Sequence, residues 1–304
     1  MNEVRTYRDS DFQDILELLK SNMEYDSWSD ELLKEKLYMD PEWKADHCFI
    51  VEDTGKVIGF LQGVLRTVRE EDIAYIKLFA VDHSKRRKGV GTLLLKAFET
   101  LIQEMGIKKI RVFDVPLNYH MPGVDPRYTP AVCFLEKNGF VNTGEAINME
   151  VDLLDRSWDV KTKIDSLKSQ GITISRIQPE KWNELMVLIS DEWKLWAYEL
   201  EMAFRMDPPA IFVAEYEGRI KAFSAYDGNN QGTGWFGPMG THPDLRGKGV
   251  GNVLLYLCLE DMKKQGHQKS TIPWVGPVSF YSHFAGAKIS RLFWRYEKKI
   301  DKHK

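Results

Sequence analysis

Two short runs of the sequence carry residue types suited to holding phosphate. Residues 86–91 read Arg86-Arg87-Lys88-Gly89-Val90-Gly91, and residues 246–251 read Arg246-Gly247-Lys248-Gly249-Val250-Gly251. Glycine permits positive φ and close backbone approach, and the basic side chains add charge beside main-chain amides. Each run leads into apolar residues at helical spacing: Val90, Leu93, Leu94, Ala97, Phe98, Leu101 and Ile102 in the first, Val250, Val253, Leu254, Leu257 and Cys258 in the second. A helix that opens on such a turn offers amides without intrahelical partners, and its dipole favours an anion there. Capture of a pyrophosphate is the chemistry to expect. No Gly-Lys-Ser/Thr occurs at either turn, which excludes a P-loop, and Leu94 and Leu254 break a Gly-x-Gly-x-x-Gly dinucleotide pattern.

The two runs lie 160 positions apart, as do the helix-stopping Gly106 and Gly266. Upstream, Phe49-Ile-Val-Glu-Asp-Thr-Gly-Lys-Val-Ile-Gly-Phe60 aligns with Phe212-Val-Ala-Glu-Tyr-Glu-Gly-Arg-Ile-Lys-Ala-Phe223, and Val4–Phe12 with Ile174–Trp182. Four correspondences in one order mark a duplicated domain. Each copy predicts an opening strand (about 3–8 and 172–177) and an amphipathic helix, with Phe12, Ile15, Leu16 and Leu19 on one face in the first. A second helix follows, then a hairpin turning at Gly55 or Gly218. A fourth strand (about 73–82 and 233–241) runs into the glycine turn, and after the long helix a strand, a short helix and a last strand close the copy. Residues 153–170 read as a polar helical linker. The expectation is two α+β domains, 1–154 and 171–304, joined by residues 155–170.

Composition bounds what such a protein can bind. The chain has 304 residues, 42 basic and 45 acidic side chains and a net charge of −3, mixed along its length. Neither nucleic acid nor an anionic membrane is implied as a partner. Apolar runs fall short of a bilayer span, and the first residues lack a signal-peptide apolar region. The widely spaced Cys48, Cys133 and Cys258 give neither a metal motif nor a disulfide framework. No metal is expected, and reduced thiols fit a cytoplasmic location.

Val81-Asp-His-Ser-Lys-Arg-Arg-Lys-Gly-Val-Gly91 and Thr241-His-Pro-Asp-Leu-Arg-Gly-Lys-Gly-Val-Gly251 resemble motif A of the GNAT acyltransferases, and Phe134-Leu-Glu-Lys-Asn-Gly-Phe140 resembles that family's motif B. Phe280-Tyr-Ser-His-Phe-Ala-Gly-Ala287 is similar but carries one extra residue before its glycine. The resemblance covers almost the whole chain, twice. It implies two tandem GNAT-like domains, each a mixed, mostly antiparallel sheet flanked by helices, and transfer of acetyl from acetyl-CoA to a primary amine of a small molecule. The amides of Arg87–Gly91 and Gly247–Gly251 are then expected to hold the CoA pyrophosphate, with Arg86 and Arg246 beside them. Ala80, Val81, Gly240 and Thr241 would pair with the pantetheine arm.

The resemblance also implies a tyrosine at the start of motif B as proton donor to the departing thiolate. Tyr281 falls near that place, whereas the first copy has Leu135. The second domain is therefore expected to do the chemistry, with the first as a CoA-binding partner or one using another donor. No base is singled out: Asp191, Glu192, Glu199 and Glu201 lie in the early helical region of the second copy, and His242 and His283 adjoin its motifs. The first copy has a proline-rich loop, Pro116–Pro130, with Tyr119, His120 and Asp125, about a dozen residues longer than its counterpart. Trp182, Trp193, Trp196, Trp235, Trp274 and Trp294 crowd the second copy and could stack a sugar or a cationic amine, which favours an amino sugar, a polyamine-like molecule or an aminoglycoside over a protein tail as acceptor. Non-catalytic CoA binding and transfer of a longer acyl chain are the alternatives. Nothing in the sequence indicates the oligomeric state.

Overall fold

The computed structural model describes residues 3–300. The first repeat runs β1 (Val4–Thr6), α1 (Phe12–Asn22), α2 (Asp30–Tyr38), β2 (Cys48–Asp53), β3 (Lys56–Val68), β4 (Glu71–Val81), α3 (Val90–Glu104), β5 (Lys109–Val112), α4 (Thr129–Lys137) and β6 (Val141–Asp152). The second runs α5 (Val160–Ser169), β7 (Ile172–Arg176), α6 (Trp182–Glu192), α7 (Ala197–Phe204), β8 (Ile211–Tyr216), β9 (Arg219–Tyr226), β10 (Phe236–Thr241), α8 (Val250–Lys264), β11 (Lys269–Ile272), α9 (Val278–Ala285) and β12 (Lys288–Lys299). The architecture is α+β, as the duplicated pattern predicts. No helix among the described residues is long and apolar enough to cross a membrane.

Local chemistry explains the long helices. The buried residues of α3 include Leu94, Leu95, Phe98 and Ile102, whose spacing keeps one face on the sheet. In α8 the buried set is wider, from Val250 through Met262. Both helices stop where Gly106 and Gly266 take positive φ. Helix α2 is capped by Ser29, whose hydroxyl accepts the Leu32 amide at 3.1 Å.

The chain forms two compact units, and they differ from the contiguous halves 1–154 and 171–304. One comprises the residues up to Ala146 together with those from Phe293 onward; the other is Ile147–Leu292. Strands β6 and β12 each begin in one unit and end in the other. The pairing gives the reason. In the first unit, β5 is parallel to β4 on one side and takes the end of β12 on the other, Tyr296–Lys299 running antiparallel to Val112–Lys109. In the second, β11 pairs antiparallel with the end of β6, Lys269–Ile272 against Asp152–Met149. Each repeat thus supplies the closing strand of the other's unit.

Among the described residues parallel pairing is seen at one place in each unit, and it is the same place. Ala74–Ile76 of β4 pair with Ile110–Val112 of β5, with Tyr75 opposite Arg111. The positions 160 later, Trp235 and Thr271, form a lone parallel bridge. Among the described residues the fourth and fifth strands of each repeat pair no further, so β4 from Lys77 onward and β10 from Phe236 onward run to the glycine turns paired with β3 or β9 on one side only.

Candidate active site

The two glycine turns have one backbone conformation. Gly89 (φ 85°) and Gly249 (φ 82°) are the left-handed N-cap residues of α3 and α8. Two residues earlier, Gly247 takes φ 77° and Arg87, an L-residue with a side chain, takes φ 63°. Arg86 Nε donates to Val81 O and Arg246 Nε to Thr241 O, both at 3.2 Å, so each arginine ties its turn to the strand end. Arg86, Arg87, Lys88 and Gly89 are exposed, as are Arg246, Gly247, Lys248 and Gly249, while Val90 and Val250 anchor the helices in the core. Exposed amides at a helix start, under positive charge, fit a diphosphate. Gly91 and Gly251 stand where the helix passes the motif B aromatic: a Cβ at Gly91 would lie 3.3 Å from Phe134 and 3.5 Å from Phe79, and one at Gly251 3.6 Å from Phe280 and Met239.

Just before the turns, both strands bulge at the same repeat position. In β4, Gln62 pairs with Leu78 and Gly63 with Ile76, leaving Lys77 as the extra residue. In β10, Phe236 pairs with Tyr226 and Met239 with Ser224, so Gly237 and Pro238 stand against Ala225. A bulge bends the strand and increases its twist, re-aiming the backbone groups that follow. Lys77 is 1% exposed, and its ammonium donates to Asp40 Oδ2 (2.6 Å), Lys36 O (2.7 Å) and Asn118 Oδ1 (2.8 Å). Arg66 Nη2 reaches both oxygens of Asp40, at 2.7 and 2.8 Å. Burial pulls Lys77 down to about 7. Burial pushes Asp40 upward, but Lys77 and Arg66 outweigh it and hold the carboxyl below its ordinary value. The cluster joins α2, β3, β4 and the loop after β5 at the bulge.

Tyr281 is 7% exposed within the apolar core of the second unit, its ring edge-on to Phe236 (6.0 Å) and Phe280 (5.2 Å), and burial raises its phenol. Leu135, its counterpart, is buried likewise. Beside Gly240 the second unit is filled: a Cβ there would meet Trp193 and Phe223 at 2.9 Å, and Trp193 stacks on Trp196 at 5.8 Å. Trp182 stacks on Phe204 at 4.4 Å. These tryptophans pack against the core. Asp191, Glu192 and His283 are exposed, Glu201 pairs with Arg205, and His242 Nδ1 accepts the Asp244 amide at 3.3 Å. Glu199 is buried, its backbone closely approached by Gly228.

The first unit holds a group that the spacing of residues does not reveal. Asn22, the last residue of α1, accepts the His83 amide at 2.7 Å through Oδ1, which fixes the end of α1 beside the loop leading to the turn. Four residues on, Asp26 Oδ1 lies 3.5 Å from His120 Nε2, and Asp26 Oδ2 accepts the Tyr128 hydroxyl at 2.6 Å. Trp28 packs against His120, the two rings tilted by 32° with centroids 4.2 Å apart. Of the loop residues singled out in the sequence, Tyr119, His120 and Asp125 are all buried, and Asp125 holds Arg127 at 2.6 Å. Asp26, Trp28, Lys77, Asp40, Arg66 and Asn118 went unmarked in the sequence. Only Lys77 left a signal, as the lone charge in the apolar run Ile73–Val81. No cluster of three metal-binding side chains occurs among the described residues.

A sequence model of the acetyltransferase (GNAT) family matches residues 12–140 and again residues 174–281. No curated protein matches in sequence. Among solved structures, a GCN5-related glucosamine N-acetyltransferase region of a fungal multi-domain β-N-acetylglucosaminidase superposes with a TM-score of 0.82 at 22% identity, over 98% of this chain and 38% of that one. The chain therefore spans well under half of that relative's length. A GCN5-related N-acetyltransferase from Sphaerobacter thermophilus (TM-score 0.71, 17% identity) is matched over 98% of this chain and 96% of its own. A tandem GNAT protein from the clavulanic acid biosynthesis pathway (0.73, 14%) is matched over the full length of both. At these identities the likeness is one of fold. With both halves matched by the family, separately and in order, the chain belongs to the acetyltransferase (GNAT) family as a tandem member.

Proposed function

We propose that the protein is an acetyl-CoA-dependent N-acetyltransferase that moves an acetyl group directly to a primary amine of a small molecule. The observation that carries this reading is the repeated strand end: a bulge, a run of backbone unpaired on its fifth-strand side and a left-handed glycine turn, in the same order and spacing in both units. The amides of Arg87–Gly91 and Gly247–Gly251 would hold the pyrophosphate, with Arg86, Lys88, Arg246 and Lys248 adding charge. The backbone at Ala80–Val81 and Gly240–Thr241 would pair with the pantetheine arm and steady the developing oxyanion. Acetyl-CoA supplies an activated thioester whose carbonyl an amine can attack. The protein's own share is alignment, removal of the proton from an amine of pKa about 10, and donation of one to the leaving thiolate. Tyr281, kept protonated by burial, is the candidate donor in the second unit.

The fungal glucosamine N-acetyltransferase region makes glucosamine the first acceptor to try. Calorimetric titration with acetyl-CoA, reading the number of sites, tests the reading: two sites are expected, and absence of binding would overturn it. A second reading, in which the second unit binds CoA without turnover, is favoured by the Trp193–Trp196–Phe223 packing at Gly240.

A further inference from the structure

The loop after β5 in the first unit does more than cover the sheet. Its Asn118 bonds Lys77 at the bulge (2.8 Å), which ties the loop two residues before His120 to the strand whose end is expected to face the thioester. Its Tyr128 opens α4, the helix whose Phe134 borders Gly91. Between these points Asp26 bridges His120 and Tyr128, and Asp26 is itself four residues from Asn22 at the turn loop. The group is therefore tied, through hydrogen bonds and short chain segments, to the bulge, the turn loop and the motif B helix. Its outer layer is an exposed aromatic and guanidinium cap: Tyr25 lies 5.0 Å from the Tyr128 ring, with Arg127 4.1 Å over Tyr25.

Two further facts point to a ligand. A carboxylate beside an imidazole is the arrangement that holds a histidine ready to accept a proton. Trp28, only 6% exposed, has its indole N–H buried without a hydrogen-bond partner, a state that costs free energy until an acceptor arrives. An amine substrate with an oxygen acceptor satisfies both groups.

We propose that the first unit is a catalytic centre in its own right, in which His120, held by Asp26, takes the proton of a hydroxylated primary amine whose oxygen is bound by the Trp28 N–H. This inference rests on the acetyl-CoA reading above. In the step, the amine nitrogen bonds to the thioester carbonyl carbon, the nitrogen's proton passes to the His120 imidazole, and the carbon–sulfur bond breaks to release CoA thiolate. Proton return from imidazolium to thiolate regenerates the site, so the absence of a tyrosine at Leu135 is no obstacle. His120 is the catalytic residue and Asp26 a positioning one.

The test uses the full chain with Gly249→Trp, which blocks the second turn, and measures thiol released from acetyl-CoA with glucosamine or with cyclohexylamine. Glucosamine is expected to be turned over and cyclohexylamine about tenfold or more slowly, with that preference largely lost in Trp28→Phe. His120→Gln is expected to lower kcat about 100-fold or more with acetyl-CoA affinity unchanged, and Asp26→Asn about tenfold. Thermal unfolding checks that each variant remains folded. Unchanged kcat in folded His120→Gln, or no transfer to either amine while acetyl-CoA binds, overturns the inference alone. Equal use of the two amines overturns the acceptor class. No acetyl-CoA binding at the first turn would overturn the CoA reading and this inference with it.

Discussion

The two units reach one backbone shape with different residues. At the bulge the first places a buried lysine whose ammonium gathers Asp40, Lys36 O and Asn118, where the second places Gly237-Pro238. At the turn the first holds Arg87 in the left-handed region that Gly247 occupies in the second. At Gly240 the second packs Trp193 edge-on to Phe223, while the first gathers Asp26, Trp28 and His120, the last on the loop whose Asn118 binds the bulge lysine. Backbone geometry is what the proposed diphosphate and pantetheine contacts would use, and it is the backbone geometry that recurs. Side chains around it are free to diverge into separate roles.

The comparison is broken most completely at the turns. Gly89→Trp and Gly249→Trp are each expected to remove one of two acetyl-CoA sites, read as calorimetric stoichiometry falling from two to one. A stoichiometry that stays at two in either variant would mean that the turns do not hold the nucleotide. Lys77→Met comes next: it leaves Asp40 and the Lys36 carbonyl short of a partner, at a cost of about 3–5 kcal/mol by chemical denaturation. The bulge of the second unit has no such group, so the loss should fall on the transition of the first unit.

The same lysine gives a pH signature. Its folded value of about 7 lies below the ordinary lysine value of 10.5. Between the two the unfolded chain binds a proton that the folded chain has released, so stability of the first unit rises with pH across that window and is lowest below it. In Lys77→Met that rise should vanish. Tyr281→Phe is expected to lower second-unit turnover about tenfold with acetyl-CoA affinity unchanged, and unchanged turnover would leave Tyr281 as packing only. The smallest effect is at the turn itself. Arg87→Gly relieves a left-handed strain of about 1–2 kcal/mol against about 0.4–1 kcal/mol of added chain entropy, for a net gain of roughly 0.8 kcal/mol.

Much of this architecture was legible in the residues. The glycine turns, Gly55 and Gly218 in the hairpins, and the stops at Gly106 and Gly266 are local conformational demands, and local demands leave marks at fixed spacing. The helical and strand periods at Leu94, Phe98 and Ile102, or across Phe49–Val51, follow from burial of one face. The exchange of β6 and β12 was not legible, because either repeat's last strand satisfies the same alternation and only pairing in space selects the partner. The Asp26–His120 group was half legible: the loop around His120 drew attention by its length, but its partner comes from a segment 94 positions earlier that carries no pattern. Lys77 could have been noticed as a charge inside an apolar strand, though nothing in the sequence names Asp40 as its counter-ion or Arg66 as the second cation on that carboxylate.

The exchanged closing strands make the two repeats mutually dependent in manufacture as well as in form. A ribosome that has released only the first repeat has made β6, whose end awaits β11, and has not yet made β12, which β5 requires. Severing the gene between the repeats would yield two halves that must find each other, or trade strands with their own kind, before either sheet could be completed. Duplication here has produced one indivisible folding transaction from two copies of the same plan.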